Sequence, residues 1–192
     1  KAFVSILFEG QADIGGTMLP APGGLWAMPK EMLETIPGYG PDINANREEA
    51  RKLMAKAGYG PGKHLAVKVA TRNIPIYRDP AIILIDQLKS IHIDGELDVV
   101  ETANWFSKVA RKDYALGLNL TGNAVDDPDQ SFFENYSCGS ERNYTNYCNK
   151  DIEKMFDEQS AETDVAKRKK LVWEIDKKLQ EDVARPIIYH GR

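Results

Sequence analysis

Long apolar runs are missing from this chain. None of its 192 residues lies in a stretch approaching the roughly 20 that a membrane-spanning helix needs. The opening segment does not read as a secretory leader: Lys1-Ala2-Phe3-Val4 lacks the basic start, long apolar stretch and small-residue cleavage site of a signal peptide. Basic charge is not in excess, with 25 Lys and Arg against 29 Asp and Glu and a net charge of -4. No segment is strongly basic, which excludes the electrostatic footprint of a nucleic-acid binder. The three histidines, His64, His92 and His190, are scattered, and none has a His or Cys neighbour at ligand spacing. No GxSxG elbow, GxxxxGK[ST] phosphate loop or Rossmann fingerprint occurs, so the best-marked hydrolase, nucleotidase and dehydrogenase sites are excluded. Internal repeats and low-complexity segments are also absent.

What remains is an ordinary globular composition, 42% hydrophobic and 28% charged, of a length that fits one domain. Residues 2–9 read as the end of a helix stopped by Gly10. From Gly15 to Gly40, the prolines Pro20, Pro22, Pro29 and Pro37 forbid a long helix. A helix follows, with Asn46 and Glu49 in a capping-box-like pattern and Ala50, Leu53, Met54 and Ala57 on one side. Gly58 stops it. The glycine-rich Gly58-Tyr59-Gly60-Pro61-Gly62 follows that helix rather than opening one, so it reads as a C-cap and turn. Leu65–Thr71 alternates as a strand, Pro80–Ser90 reads as a helix, and Leu97–Val100 as a second strand. Trp105–Ala110 is a short helix and Tyr114–Leu120 a third strand. Two more helices, Asp151–Ser160 and Asp164–Val183, precede a last strand, Pro186–Tyr189. Strands alternating with helices predict an α/β fold, a mixed sheet flanked by helices.

Cys138 and Cys148 stand ten residues apart without a CxxC pattern, which argues against a structural zinc site. Their even count and close spacing fit a disulfide in an oxidising compartment, worth roughly 2–3 kcal/mol, with two free thiols as the alternative. Asn135-Tyr136-Ser137 and Asn143-Tyr144-Thr145 match the glycosylation sequon, a pattern short enough to arise by chance. The acidic turn Asp126-Asp127-Pro128-Asp129 leaves the carboxyl end of the third predicted strand, where open α/β sheets bind ligands. It reads either as a plain turn, as the lining of a ligand cleft, or as a metal site, although the EF-hand pattern is missing. Trp26, on the Pro/Gly stretch, is either a stacking surface for a ligand or a packing residue.

The order of motifs resembles the C-terminal lobe of the dipeptide- and oligopeptide-binding family of ABC-transporter solute receptors. Arg47-Glu48-Glu49-Ala50-Arg51-Lys52-Leu53-Met54-Ala55-Lys56-Ala57-Gly58-Tyr59 is similar to the family's "AkaLLaeAGy" helix. The segment Ala81 to Ile93, with Gln87-Leu88-Lys89, resembles its "iqaqLkkiGI" stretch, with His92 where Gly usually falls. Asp113-Tyr114-Ala115-Leu116 resembles its "dyDl" strand entry, and Asp127-Pro128 its Asp-Pro turn. Asn143 to Asn149 resembles the family's "N-x-x-x-Y-x-N" region, and Glu162-Thr163-Asp164 with Arg168 its "e-x-D-x-x-x-R" helix start.

The resemblance implies one lobe of a two-lobed periplasmic-binding-protein fold, residues 1–192 being a single domain of a longer protein. It implies capture of a peptide or similar small solute between two lobes and delivery to ABC permease subunits in the membrane. No cofactor, metal, catalytic residue or nucleic acid is expected. The location is periplasmic or extracytoplasmic, with a lipid anchor an option in the full-length protein, and a monomer is expected. One departure bears on the solute. Peptide-binding members carry an Asp four residues before the Pro of the acidic turn, which grips the peptide's amine; here that position is Ala124, and a neighbouring Trp is replaced by Thr121. The residues expected to line the cleft are therefore Thr121, Asn123, Asp126, Asp127 and Trp26. The competing reading is a hydrolase or transferase domain with an unrecognised active site; a third is a pure interaction module with a large apolar patch.

Overall fold

The computed structural model describes residues 2–191; Lys1 and Arg192, which open and close the predicted 1–192 domain, lie outside the described residues. In chain order the elements are α1 (Ala2–Phe8), α2 (Lys30–Leu33), α3 (Ile43–Lys56), β1 (Leu65–Arg72), α4 (Pro75–Lys89), β2 (Ile93–Val100), α5 (Thr102–Ala110), β3 (Leu116–Gly117), α6 (Pro128–Tyr136), α7 (Lys150–Ala161) and α8 (Val165–Glu181). The α/β class is as expected. The chain divides into two compact units, one of Phe3–Tyr39 together with the residues from Gly122 onward, the other of Gly40–Thr121.

The first unit is helical. Its core gathers Met18, Trp26, Phe132, Tyr136, Ile152, Phe156, Val172, Ile175 and Leu179. Phe132 on α6 and Phe156 on α7 stack with ring centroids 5.0 Å apart. The Pro/Gly stretch is ordered by this core: Met28, Leu33 and Ile36 form a second cluster against Trp173 of α8. Gly16 approaches α8 so closely that a Cβ there would stand 2.4 Å from the Asp176 carboxylate. Cys138 and Cys148 form the disulfide, with Cα atoms 4.7 Å apart.

The second unit is a parallel three-stranded sheet in the order β2-β1-β3. β1 and β2 pair along their full lengths, from Leu65 with Ile93 to Arg72 with Val100. Val69, Ala70 and Thr71 of β1 are buried, as a central parallel strand requires. Gly58, in the left-handed region at φ +86°, ends α3 as predicted. His92 also lies in that region, at φ +65°, a conformation that favours Gly.

Several expectations are corrected. The last strand, Pro186–Tyr189, is absent; only an isolated antiparallel bridge joins Asp13 and His190. The third strand shrinks to Leu116–Gly117, where it pairs with Val69 and Ala70. The cap of α3 is Asp42, whose carboxylate accepts from the N–H groups of Asn44 and Ala45, so Asn46 lies inside the helix. The apolar stripe of α3 is not a buried one: no residue of that helix is buried and Leu53 is 56% exposed. α4 starts five residues early, at Pro75, because a proline at the first helical position loses no hydrogen bond. α6 was not foreseen, since Asp127-Pro128 reads equally as a turn or as a cap followed by N1. Val165 and Val183, near the two ends of the predicted last helix, are exposed.

Candidate functional site

The acidic turn is built outward from α6. Asp127 is the N-cap of that helix, accepting from the Asp129 N–H at 3.0 Å. Arg168, in the first turn of α8, donates to both carboxylate oxygens of Asp127, at 2.9 and 3.0 Å, and to Asp129 at 3.1 Å. Its Nε donates to Gln159 at 3.1 Å. Asp129 is also held by Ser160 Oγ at 2.6 Å and by the Gln159 amide. Partial burial works against the charge on Asp127, but the hydrogen bonds from Arg168 and the Asp129 N–H outweigh it and hold its pKa below the ordinary Asp value. Two of the three carboxylates are thus committed to one guanidinium.

Asp126 is held differently. Its Oδ2 accepts the Leu25 N–H at 2.9 Å, and its carbonyl accepts the Trp26 indole N–H at 2.8 Å. Trp26 is buried, with the Arg168 guanidinium 4.7 Å from its ring centroid, and its carbonyl accepts the Trp173 indole N–H at 3.0 Å. The Gln130 side chain takes the N–H groups of Ala124 and Val125, at 2.8 and 3.3 Å. Backbone and side chains therefore fix the turn, while Asn123, Ala124, Val125 and Asp126 are exposed. Of the five residues expected to line a cleft, the structure brings Trp26, Asp126 and Asp127 into one bonded network. Asn123 is on the exposed tip. Thr121 is exposed and closes the other unit, the boundary falling between Thr121 and Gly122.

In that other unit the carboxyl ends of the parallel strands carry a residue that sequence reasoning missed. Arg72 ends β1, with its guanidinium 4.6 Å from the Tyr77 ring centroid and 5.5 Å from that of Phe106. One of its amino groups donates to the Tyr77 hydroxyl at 2.9 Å, and its Nε is buried without an acceptor among the described residues. Beside it Asn73 donates to Glu101 at 2.9 Å. An uncommitted guanidinium donor at this end of a parallel sheet suits a carboxylate or carbonyl oxygen of a ligand. The available signal was positional, a basic residue directly after the predicted strand Leu65–Thr71.

Among the described residues no three His, Cys, Asp or Glu side chains converge as a metal site. No described helix is long and apolar enough to cross a membrane. Both sequons are masked: Asn135 and Asn143 are 4% and 3% exposed, and the Asn143 amide donates to the carbonyls of Ser137 and Tyr147.

The model of the bacterial extracellular solute-binding proteins, family 5 (middle), matches residues 1–143. The chain belongs to that family, which is one of solute-binding proteins and not of enzymes. No curated protein matches it in sequence. Among solved structures it is similar to Haemophilus influenzae OppA in complex with the peptide RPPGFSPFR, at 19% identity and a TM-score of 0.80 over 98% of this chain and 36% of that one. It is similar also to the dipeptide-binding protein of a Pseudoalteromonas species in complex with Met-Leu, at 18% identity and a TM-score of 0.80 over 98% of this chain and 36% of that one. A third is NikA from Staphylococcus aureus in complex with Ni(L-His)2, at 19% identity and a TM-score of 0.77 over 99% of this chain and 39% of that one. The chain spans less than two-fifths of the length of each of these proteins.

Proposed function

We propose that these 192 residues are one lobe of a longer extracytoplasmic receptor that captures a small solute and hands it to the permease of an ABC importer. Membership of the solute-binding family carries this reading. The disulfide supports a location in an oxidising compartment outside the cytoplasmic membrane. Function in such a receptor is a shift in an open-to-closed equilibrium, so the solute must bind the closed form more tightly.

We assign solute contact to Asn123 and Asp126 of the acidic turn; in the sheet unit, taken by itself, Thr121 and Arg72, at the carboxyl ends of the strands, are separate candidates. Asp127 and Trp26 hold the turn in place. The peptide ligands of OppA and the dipeptide-binding protein, and the nickel–histidine complex of NikA, define the solute classes to screen. Ala124 leaves the turn without a carboxylate at the position expected to grip a peptide amine.

The test is a thermal-shift screen of the longer protein against di- to nonapeptides, their N-acetylated forms and Ni(L-His)2. At least one solute is expected to raise the melting temperature in proportion to the logarithm of its concentration. A protein indifferent to every solute class, or one that hydrolyses a peptide in the screen, would overturn the reading.

A further inference from the structure

Arg168 does more than pair with one acid. It touches the acidic turn, the start of α6, the end of α7 and the Pro/Gly stretch at once. Its contacts are Asp127 at 2.9 and 3.0 Å, Asp129 at 3.1 Å, Gln159 at 3.1 Å and the Trp26 ring at 4.7 Å. Its side chain is only 16% exposed, so this arrangement is a built one and not a surface ion pair. The planar fork explains why arginine stands here. Two carboxylates and an aromatic face are satisfied together, which a lysine ammonium cannot do.

Without that guanidinium, Asp127 and Asp129 would face each other as two partly buried like charges, and the face of Trp26 would lose its cation. Trp26 in turn holds the Asp126 carbonyl, and Asp126 holds the Leu25 N–H. The chain of contacts therefore runs from α8, through Arg168 and Trp26, to the exposed turn at residues 123–126.

We propose that Arg168 is a positioning residue for solute capture, fixing the 123–127 turn in its binding geometry without touching the solute. The proposal rests on the solute-receptor reading for its functional half, but its structural half stands alone.

The experiment is amide hydrogen exchange, read by NMR on the unliganded longer protein, comparing wild type with R168A and R168K. The Ala124 and Val125 amides, held by Gln130, report the turn; those of Val172, Ile175 and Phe132 report the core. In R168A the turn amides should exchange at least ~10-fold faster while the core amides change less than about 3-fold. R168K keeps the charge and loses the fork, so it should fall between. Adding D129N to R168A removes one repelling carboxylate and should restore part of the turn's protection. Turn protection equal to wild type in R168A would overturn the proposal. So would equal loosening of turn and core, which marks Arg168 as a general stabiliser. Binding of whichever peptide or Ni(L-His)2 solute stabilises the wild type is then measured on the same variants. A loosened turn with unchanged affinity would refute the functional half. A wild type that binds none of these solutes would refute the receptor reading and with it that half, leaving the structural half as decided by exchange.

Discussion

The two units of this chain are stabilised in different ways. The unit carrying the acidic turn has a dense core of large aromatic and aliphatic side chains, stapled by a disulfide and threaded by long-range side-chain hydrogen bonds. The sheet unit depends on backbone pairing around one buried strand, and its helix α3 buries nothing. It also leaves two buried donors, the Trp105 indole N–H and Arg72 Nε, without partners among the described residues. The contrast teaches where precision is held. The turn is over-determined by side chains, so it can be altered only by disturbing its frame. The carboxyl end of the central strand β1 keeps a guanidinium donor without a partner among the described residues, which an acceptor from outside would satisfy.

The largest expected effect lies in the aromatic core. Phe156→Ala removes a fully buried ring that stacks on Phe132 and meets Phe133 at 5.7 Å. It should cost about 3–5 kcal/mol by denaturant unfolding. A loss below about 1 kcal/mol would mean that this unit does not depend on that core. Reduction of Cys138–Cys148, or the double serine variant, should cost about 2–3 kcal/mol. Urea midpoints with and without reductant measure this, and the loss should appear in probes of the helical unit.

A smaller effect separates two carboxylate environments by pH, one fully buried and one partly exposed. Burial pushes the Asp176 pKa up against the hydrogen bonds it accepts from Thr17 and Gln180. In the unfolded chain this group loses its proton at the ordinary Asp value, so stability contributed by its protonated form is lost as pH rises from there toward the raised folded value. Asp176→Asn should remove that fall and flatten the stability profile on the neutral side. Asp127 has the opposite sign, because its folded pKa is depressed. Its contribution is present above the ordinary Asp value and is lost as pH falls through the depressed one. Asp127→Asn should therefore reduce stability most at neutral pH and least in acid. Unfolding curves collected from acid to neutral pH check both signs; parallel profiles for the two variants would contradict this assignment. The smallest effect is expected at Leu53→Ser on α3, within about 0.5 kcal/mol of wild type in this chain, since the side chain is more than half exposed.

Much of this architecture was legible in the sequence, and what was not has physical causes. Gly10 and Gly58 marked helix ends because only backbone near or inside the left-handed region closes a helix so sharply. The alternation from Leu65 marked the central strand, because one face of β1 is covered by α4. The cap Asp42 was overlooked because Asn46 and Glu49 mimic a capping box one turn later. Pro186–Tyr189 has a strand-like composition but no neighbouring strand beyond a single bridge at Asp13 and His190. The disulfide followed from two cysteines in a polar loop. In the turn, Asp126 and Asp127 could be singled out as acidic residues after a strand, but their division of labour could not. That division depends on Arg168, about 40 residues downstream, whose partners only the folded chain brings near. Arg72 escaped notice because nothing in its local sequence separates it from any basic residue at a strand end.

The central claim is that this chain supplies half of a solute clamp. The most direct measurement is isothermal titration of one solute, identified in the thermal-shift screen, into the longer protein and into the 192-residue chain side by side. The account predicts saturable binding by the longer protein and an affinity at least ~100-fold weaker, about 2.7 kcal/mol, for the chain alone. Equal affinity for the two would contradict it.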